Sequence, residues 1–420
     1  MPSRERAFLR IAVAALIAVG VLAVAGCTSG QGSPAEEVVD AEAGSSAGAA
    51  FDAETVAQLD GLVREFQEVN HTPGALIGVW SPHGTYVSTT GTSDLATDAA
   101  LEPDMQFKIA SQTKSFTGNL VLQLVSEGKV GFDDVISKWI DGVPNGDEIT
   151  IRQLLNHTSG LADVFTDPKV QALVPDGCDS IDELLALQHT FPPLAEPGGD
   201  WSYSNYGYNL LGRVVEVADG KDFATVLRER IAEPLGLTRT ELVVTPGDGL
   251  TEPFTHGYGS GELGPTQAAT AENDSTWVPL TCLWAHGGMV STIEDLHVWI
   301  SSMSTLVSPE VWEEANADPI PFVFGGNYNG PGEWLQGLGF DLTGGFVVAE
   351  GSFAGYESSS MYSPELDTTI TVATTKMWSA ITPPPMMQAL AIAVYGDEVD
   401  FGLTLDQAME PNPAIGTVPE

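Results

Sequence analysis

The sequence predicts an α+β fold: an antiparallel sheet flanked by N- and C-terminal helices, with a mainly helical lobe inserted between the strands. Strand-like runs occur near both ends of the chain, whereas the middle shows helical periodicity broken by Pro- and Gly-rich loops. The first helical segment also leads into paired strands and not into a repeating βαβ pattern. We therefore expect one two-lobed domain.

Each element is predicted from its own residue spacing. Apolar residues at helical intervals over 56–66 predict an amphipathic helix, and the runs 74–80 and 85–90 around a Pro-Gly turn predict a hairpin. Further helices are predicted near 151–155, 180–187, 206–217 and 223–231, further strands at 345–349, 358–362 and 368–374, and a last helix over 386–394. Neither a repeat nor a domain-splitting linker is evident after residue 51. Residues 51–398 are therefore predicted to form the domain, with 399–420 as an acidic tail.

Residues 1–26 have the pattern of a targeting segment. Three arginines precede the apolar run 11–26, which is shorter than the about 20 residues that span a membrane. Val24-Ala25-Gly26-Cys27 resembles a bacterial lipobox, which implies cleavage before Cys27 and lipidation of its thiol. The alternative is an ordinary signal peptide followed by an incidental cysteine. We expect an exported lipoprotein, anchored to the outer face of the bacterial cell membrane by acyl chains, with 27–50 as a flexible spacer.

The charge balance excludes one class of partner. The chain has 16 Lys and Arg residues against 57 Asp and Glu residues, a net charge of -41. Such a field repels phosphate, so nucleic-acid binding through a basic surface is not expected. The acidic surface indicates solubility or adaptation to salt more than a specific cationic partner.

Cys178 and Cys282 are the two cysteines that follow Cys27. An oxidising exported location favours a disulfide between them. The sequence leaves open whether their Cα atoms approach closely enough for the bond to form.

A serine and a lysine three residues apart, Ser111 and Lys114, stand where an apolar helical pattern begins. Side chains at this spacing share one helix face, so the lysine ammonium can reach the hydroxyl. Free N–H groups at a helix start also favour the negative charge that nucleophilic attack generates. The spacing alone is weak evidence, because Ser126-Glu127-Gly128-Lys129 has it too and suggests no site.

Tyr203 and Asn205 are two residues apart on a predicted extended loop flanked by glycines, so both can project toward one site. A tyrosine titrates near pH 10 and serves as a base only where a cation such as Lys114 favours its phenolate or shares its proton. The alternative is a core tyrosine that is hydrogen-bonded through its hydroxyl.

Four stretches together resemble the serine β-lactamase and DD-peptidase superfamily, closest to its class C β-lactamase, D-alanyl-D-alanine carboxypeptidase and esterase branch. They are 105–139, Leu154-Leu155-Asn156-His157-Thr158-Ser159-Gly160-Leu161, the Tyr-x-Asn box in 197–212, and 284–296. The resemblance implies a β-lactamase/transpeptidase-like fold and a serine hydrolase. It implies Ser111 as the nucleophile and Lys114 as its orienting partner. It also implies Tyr203 as the general base that passes a proton to the leaving group, and Asn205 as the residue that hydrogen-bonds the amide of the substrate's acyl side chain.

The third box of that family departs from its pattern. A Lys or His, a Thr or similar residue, and Gly are expected where this chain has Ala349-Glu350-Gly351. Gly351 is retained as a substrate-binding residue where a backbone approaches closely, and Ser352 would supply the second oxyanion N–H beside that of Ser111. The cation that holds a penicillin or D-alanine carboxylate is missing. We therefore expect better turnover of esters or amides that lack a carboxylate at that end.

The histidines of the sequence indicate neither a Ser-His-Asp triad nor a zinc site. A G-x-S-x-G elbow is absent from the sequence, so His157 is interpreted as scaffold and not as the base of a Ser-His-Asp triad. His256 and His286 match no catalytic position of the family. The sequence also lacks the H-E-x-x-H zinc motif. We predict neither a metal nor a cofactor.

Two functions remain open. The first is an extracytoplasmic serine hydrolase acting through an acyl-enzyme on peptidoglycan-derived or other small-molecule substrates, carboxypeptidase-like or esterase-like. The second is a surface-anchored penicillin-binding or sensor protein with little turnover. The sequence reveals neither the substrate nor the oligomeric state.

Overall fold

The computed structural model describes residues 49–412 except 164, 166, 246–248, 260–261, 324–328 and 331. The predicted targeting segment, Cys27, most of the spacer and the last residues of the tail lie outside this part of the chain. No helix in the described residues is long and apolar enough to cross a membrane.

Antiparallel strands form the centre of the fold. Numbered along the chain, they are β1 (Gly74–Ser81), β2 (Gly84–Asp94), β3 (Ala99–Ala100), β4 (Phe107–Lys108), β5 (Glu241–Leu242), β6 (Met289–Ser291), β7 (Ile320–Pro321), β8 (Leu335–Gln336), β9 (Asp341–Thr343), β10 (Phe346–Phe353), β11 (Tyr356–Ser363) and β12 (Thr368–Thr374). In the described residues the main sheet has the order β3-β2-β1-β12-β11-β10-β9-β8-β7, and β4-β6-β5 form a smaller sheet.

The pairing of β1 with β12 joins the two ends of the sequence in one sheet, for example through Ile77 opposite Val372. This confirms the predicted α+β architecture. Strand β10 continues to Phe353, beyond the predicted end at Ala349, because its ladder with β11 carries on to the pair Phe353–Tyr356. Glu350, Gly351 and Ser352 lack apolar alternation, so the sequence pattern did not reveal them as strand.

Helices cover both faces of the main sheet. They are α1 (Ala53–Asn70), α2 (Thr113–Ser126), α3 (Ile151–Leu155), α4 (Pro168–Gln171), α5 (Ile181–Gln188), α6 (Asn205–Asp219), α7 (Phe223–Leu227), α8 (Glu233–Leu235), α9 (Ile293–Ser302), α10 (Pro309–Ala317), α11 (Pro383–Tyr395) and α12 (Leu405–Ala408). The predicted helix at 223–231 is α7 followed by a π-helical turn, Arg228–Ala232.

Alternation along the strands divides the core in two. On β1, Ile77 and Val79 belong to a cluster with α1 and α11, whereas Leu76 belongs to the cluster with the helical lobe. Successive strand residues point to opposite faces, so each central strand contributes to both clusters. The described part of the tail also contributes, because Phe401 and Met409 are buried in the α1–α11 cluster.

Cys178 and Cys282 form a disulfide in the structure, with their Cα atoms 4.8 Å apart. The Cys178 N–H donates to Thr281 Oγ1 at 2.9 Å, so the two segments also meet through a hydrogen bond. The disulfide joins the loop before α5 to the segment that leads into β6.

Helix α2 approaches the β8–β9 turn backbone to backbone. A Cβ atom added to Gly118 would lie 2.7 Å from Gly339 Cα, and Gly339 itself has φ +97°. The two backbones can approach this closely because neither residue has a Cβ atom. The contact holds α2, the helix that follows Ser111, against the sheet.

We expect Gly118→Ala to lower the free energy of unfolding by about 1–3 kcal/mol, because the added methyl group must displace backbone. Gly61→Ala is a matched control: Gly61 lies in α1, and an added Cβ would meet nothing within 4 Å. That change should raise stability by about 0.5–1 kcal/mol through helix propensity. Chemical denaturation of both variants measures the difference, and an equal shift for both would contradict the close approach.

Candidate active site

Ser111 lies in a 3₁₀ turn, Ala110–Gln112, that leads directly into α2. The preceding residue, Ala110, has φ +47°, a left-handed conformation that is unusual for a residue with a Cβ atom. Such strain persists only where the surrounding structure holds it, and it is common at functional sites. The turn sets the Ser111 hydroxyl before the first turn of the helix, from which Lys114 projects.

The Lys114 ammonium group is buried and has three hydrogen-bond acceptors. Its Nζ donates to Ser111 Oγ at 3.0 Å, to Asn205 Oδ1 at 2.7 Å and to the His286 carbonyl at 2.8 Å. The ring of Tyr203 lies 4.8 Å from Nζ, measured to the ring centroid. All three N–H bonds of the ammonium are therefore used, and their acceptors come from three separate parts of the chain.

Burial lowers the pKa of Lys114 to about 7, while the negative charges of Asp163 and Asp341 oppose that shift. Near neutral pH the side chain is thus divided between ammonium and free amine. A neutral amine 3.0 Å from Ser111 Oγ can accept the hydroxyl proton, and a base is most effective when its pKa lies near the working pH.

Tyr203 lies on the extended segment before α6, with its hydroxyl 2.9 Å from Ser111 Oγ. Burial raises its pKa well above 10, and the charges of Asp163 and Glu350 add to this, although the hydrogen bond with Ser111 acts in the other direction. Tyr203 is consequently held as a neutral phenol in the free protein. The structure thus brings the predicted residues Ser111 and Tyr203 together. The lowered pKa of Lys114 and the raised pKa of Tyr203 favour Lys114 as the first proton acceptor.

Asn205 is the first residue of α6 and not part of the extended loop that the sequence suggested. The reason is Ser204, whose side chain accepts from the Gly207 N–H and caps the helix. Asn205 Nδ2 donates to both carboxylate oxygens of Asp163, at 3.1 and 3.2 Å. Its amide thus bridges Lys114 and Asp163, and its predicted role as a donor to substrate stays a prediction.

Two histidines support this arrangement. His157 Nδ1 accepts from the Ser204 N–H at 3.2 Å, and its ring packs against Tyr203, with centroids 4.6 Å apart. Burial first and the Lys114 charge second lower the pKa values of His157 and His286 well below 6.5, so both rings are neutral. His256 pairs with Asp274.

Gly351 lies against the turn that carries Ser111. A Cβ atom added to it would lie 2.2 Å from Ile109 O and 2.7 Å from Ser111 N. The sequence suggested that a substrate backbone requires this glycine, but the chain's own backbone already does. The contact seats β10 beside Ser111 and so brings the predicted oxyanion donors, the N–H groups of Ser111 and Ser352, onto facing elements.

The third box has an alanine where the family pattern predicts a cation and an acid where it predicts a hydroxyl, and a second acid lies on the neighbouring strand. Ala349 is buried in the lobe-facing core, while Glu350 Oε2 accepts from Asn329 Nδ2 at 3.0 Å. Asp341 stands opposite Val348 on the neighbouring strand β9. Burial raises the pKa of Asp341 to about 7, with the Lys114 charge acting in the opposite direction.

Four groups of this region are not predicted from the sequence: Asp163, Asn329, Asp341 and the His286 carbonyl. Asp163 had one usable signal, because it follows the His157–Leu161 stretch as an isolated acid among apolar residues. In the described part of the chain, no three His, Cys, Asp or Glu side chains converge closely enough to hold a metal ion.

Comparison with known proteins agrees with this geometry. The family model described as Beta-lactamase matches residues 59–382. Penicillin-binding protein 4 of Amycolatopsis lactamdurans is 32% identical over 175 residues, which are 40% of this chain and 44% of that protein. Across the curated relatives that match best, the matched segments span about a third to a half of the relative, from 35% to 48%.

Solved structures with the same fold include two amide hydrolases. The D-stereospecific amidohydrolase from Streptomyces sp. superposes with a TM-score of 0.66 at 25% identity, covering 81% of this chain and 98% of that one. The D-amino acid amidase from Ochrobactrum anthropi gives a TM-score of 0.68 at 23% identity, covering 82% and 99%. The second likeness shows the fold alone.

The pKa of Lys114 gives a pH prediction. We expect labelling of Ser111 by a fluorophosphonate to become faster as the pH rises through about 7, because only the neutral amine can accept a proton. In Asp163→Asn a negative charge that stabilises the ammonium is lost, so the pKa of Lys114 falls and the midpoint moves to lower pH. Asp176→Asn, an exposed acid in the same segment, is the control. A midpoint that stays fixed or rises in Asp163→Asn would contradict this assignment.

Proposed function

Because the chain belongs to the Beta-lactamase family, whose members are hydrolases, we propose that it is a serine hydrolase that works through an acyl-enzyme on Ser111. One observation carries the proposal. Ser111 Oγ lies 3.0 Å from Lys114 Nζ and 2.9 Å from the Tyr203 hydroxyl, within hydrogen-bond distance of a proton acceptor and a proton donor at once.

The reaction follows from this geometry. Ser111 Oγ attacks the substrate carbonyl carbon while its proton passes to the neutral amine of Lys114. The N–H groups of Ser111 and Ser352 stabilise the oxyanion. The bond to the leaving group then breaks as Tyr203 gives its proton to the departing oxygen or nitrogen and is reprotonated from Lys114. Water attacks the resulting ester by the same route in reverse and releases the acid.

The third box defines the substrate class that we propose. Ala349 offers no charge to a carboxylate, and Glu350 supplies no cation in its place and repels a carboxylate whenever it is ionised. Esters and amides without a carboxylate on the leaving-group side therefore suit this site better than a penicillin or a terminal D-alanine. The likeness to the D-stereospecific amidohydrolase from Streptomyces sp. supports amides among them.

We further propose that the protein is exported and lipid-anchored through Cys27, as its N-terminal sequence indicates. The second candidate function is a surface-anchored penicillin-binding or sensor protein with little turnover. Its support is the similarity to penicillin-binding protein 4 of Amycolatopsis lactamdurans together with the altered third box.

Intact-mass measurement after exposure to a fluorophosphonate or a penicillin separates the two candidates. We expect a stable fluorophosphonate adduct in the wild type and none in Ser111→Ala, because the attacking oxygen is removed. With penicillin, a transient adduct would indicate turnover, and a permanent one would favour the slow binder. No adduct with either reagent would contradict both versions.

The effect of the missing cation is measurable by restoring it. Ala349→His should improve kcat/KM for a substrate with a carboxylate on the leaving-group side by about 10-fold, since a charged pair with a carboxylate is worth about 1.5–3 kcal/mol. The matched neutral ester should gain less. If the wild type already prefers the carboxylate substrate, or if the variant gains nothing, the substrate class proposed here is wrong.

A further inference from the structure

Glu350 lies at an open edge of the sheet beside the nucleophile. It directly precedes Gly351, whose backbone packs against Ile109 and Ser111. On one side Glu350 pairs with Ser359 of β11. On the other side the pairing of β10 with β9 ends at Val348, and the described residues place no strand beside Glu350 there. The Glu350 side chain is partly exposed at this edge.

Asn329 supplies a second acceptor beside that carboxylate. Its side chain is 3% exposed, and Nδ2 donates to Glu350 Oε2 at 3.0 Å. Oδ1 of the same planar amide is buried and has no hydrogen-bond partner in the part of the chain that the structure describes. A buried amide oxygen is normally satisfied, so Asn329 Oδ1 is an acceptor that lacks a donor, beside a carboxylate that accepts from the other end of the same amide.

The ammonium group of Lys114, the cation of the candidate site, already has its hydrogen-bond acceptors. Lys114 directs its N–H groups to Ser111, Asn205 and His286 and has none left for Glu350. Burial first and the Asp341 charge second raise the pKa of Glu350 well above its usual value. The raised pKa favours the neutral acid in the free site, so a positive ligand with an N–H group would donate to Asn329 Oδ1 and shift Glu350 to the charged carboxylate.

Tyr203 indicates which part of the substrate would contact Glu350. The Tyr203 hydroxyl lies 2.9 Å from Ser111 Oγ, and Gly351, the residue after Glu350, packs against the turn that carries Ser111. The charge of Glu350 also contributes to the raised pKa of this phenol. Tyr203 is the group that we assign to protonate the leaving group. A ligand atom that contacts Glu350 therefore belongs to the leaving group and not to the acyl group.

We propose that Glu350 and Asn329 form a subsite for an ammonium group on the leaving group, so that the substrates are esters of amino alcohols or amides of diamines. The leaving-group assignment rests on the proposed acyl-enzyme function. The ammonium N–H would donate to Asn329 Oδ1 while its charge lies against the Glu350 carboxylate. This subsite would occupy the place where the family pattern predicts recognition of a carboxylate.

The kinetic test compares two nearly isosteric esters, 2-(dimethylamino)ethyl phenylacetate, which is cationic, and 3-methylbutyl phenylacetate, which is neutral. Both esters have the same acyl group, so a change in the acyl chemistry affects both kcat/KM values alike and leaves their ratio unchanged. We expect Glu350→Gln, which keeps an acceptor for Asn329, to lower the cationic-to-neutral ratio by about 10-fold or more. Glu365→Gln removes an exposed carboxylate in the turn between β11 and β12 and should leave the ratio as it is in the wild type.

Binding without turnover keeps the two proposals distinguishable. In the Ser111→Ala background, calorimetry should show the cationic ester binding about 10-fold more tightly than the neutral one, with Glu350→Gln removing the difference. If the binding difference appears but neither ester is hydrolysed and Ser111 forms no adduct, the subsite stands and the hydrolase proposal fails. Equal binding of the two esters, or a ratio unchanged by Glu350→Gln, would overturn the subsite.

Discussion

The burial of Lys114 is the constraint on which the candidate site depends. A buried ammonium is tolerated only when its hydrogen bonds are made, because the cost of an unpaired buried charge is several kcal/mol. Its acceptors come from the 3₁₀ turn of Ser111, from the start of α6 and from the segment before β6. These three parts of the chain are thereby fixed relative to one another. The same burial brings the pKa of Lys114 to about 7, so one arrangement provides both the geometry and the base.

Much of this could be predicted because it depends on residue type and spacing. Ser111 and Lys114 share a helical interval, Tyr203 and Asn205 follow a glycine-flanked segment, and the long strands alternate clearly. The four residues do lie together in the structure. The strands that escaped prediction, such as β4 and β8, have two residues each and are too short to show a period.

Other parts could not be predicted, for physical reasons. The acceptor from His286 is a backbone carbonyl, which every residue possesses, so no residue type reveals it. Asp163 and Asp341 are two of 57 acids, and only the fold brings them near Lys114, while most other acids in the described residues are at least partly exposed. Gly351 was predicted as a place where a substrate backbone approaches, and in the structure its backbone neighbour is the chain's own Ile109 carbonyl. The sequence shows that a backbone approaches but not which one.

The disulfide between Cys178 and Cys282 closes a covalent ring that includes α5, α6 and both Tyr203 and Asn205. The main sheet and Ser111 lie outside this ring. Leu194, in the loop between α5 and α6, is 68% exposed, which makes that loop the kind of segment that proteases cut. After a single cut there, the two polypeptides would still be one molecule, with Tyr203 still tethered to the half that carries Ser111. In the exported location that we propose, proteases are present, and the ring would let this site survive a break in its own chain until a reductant opened it.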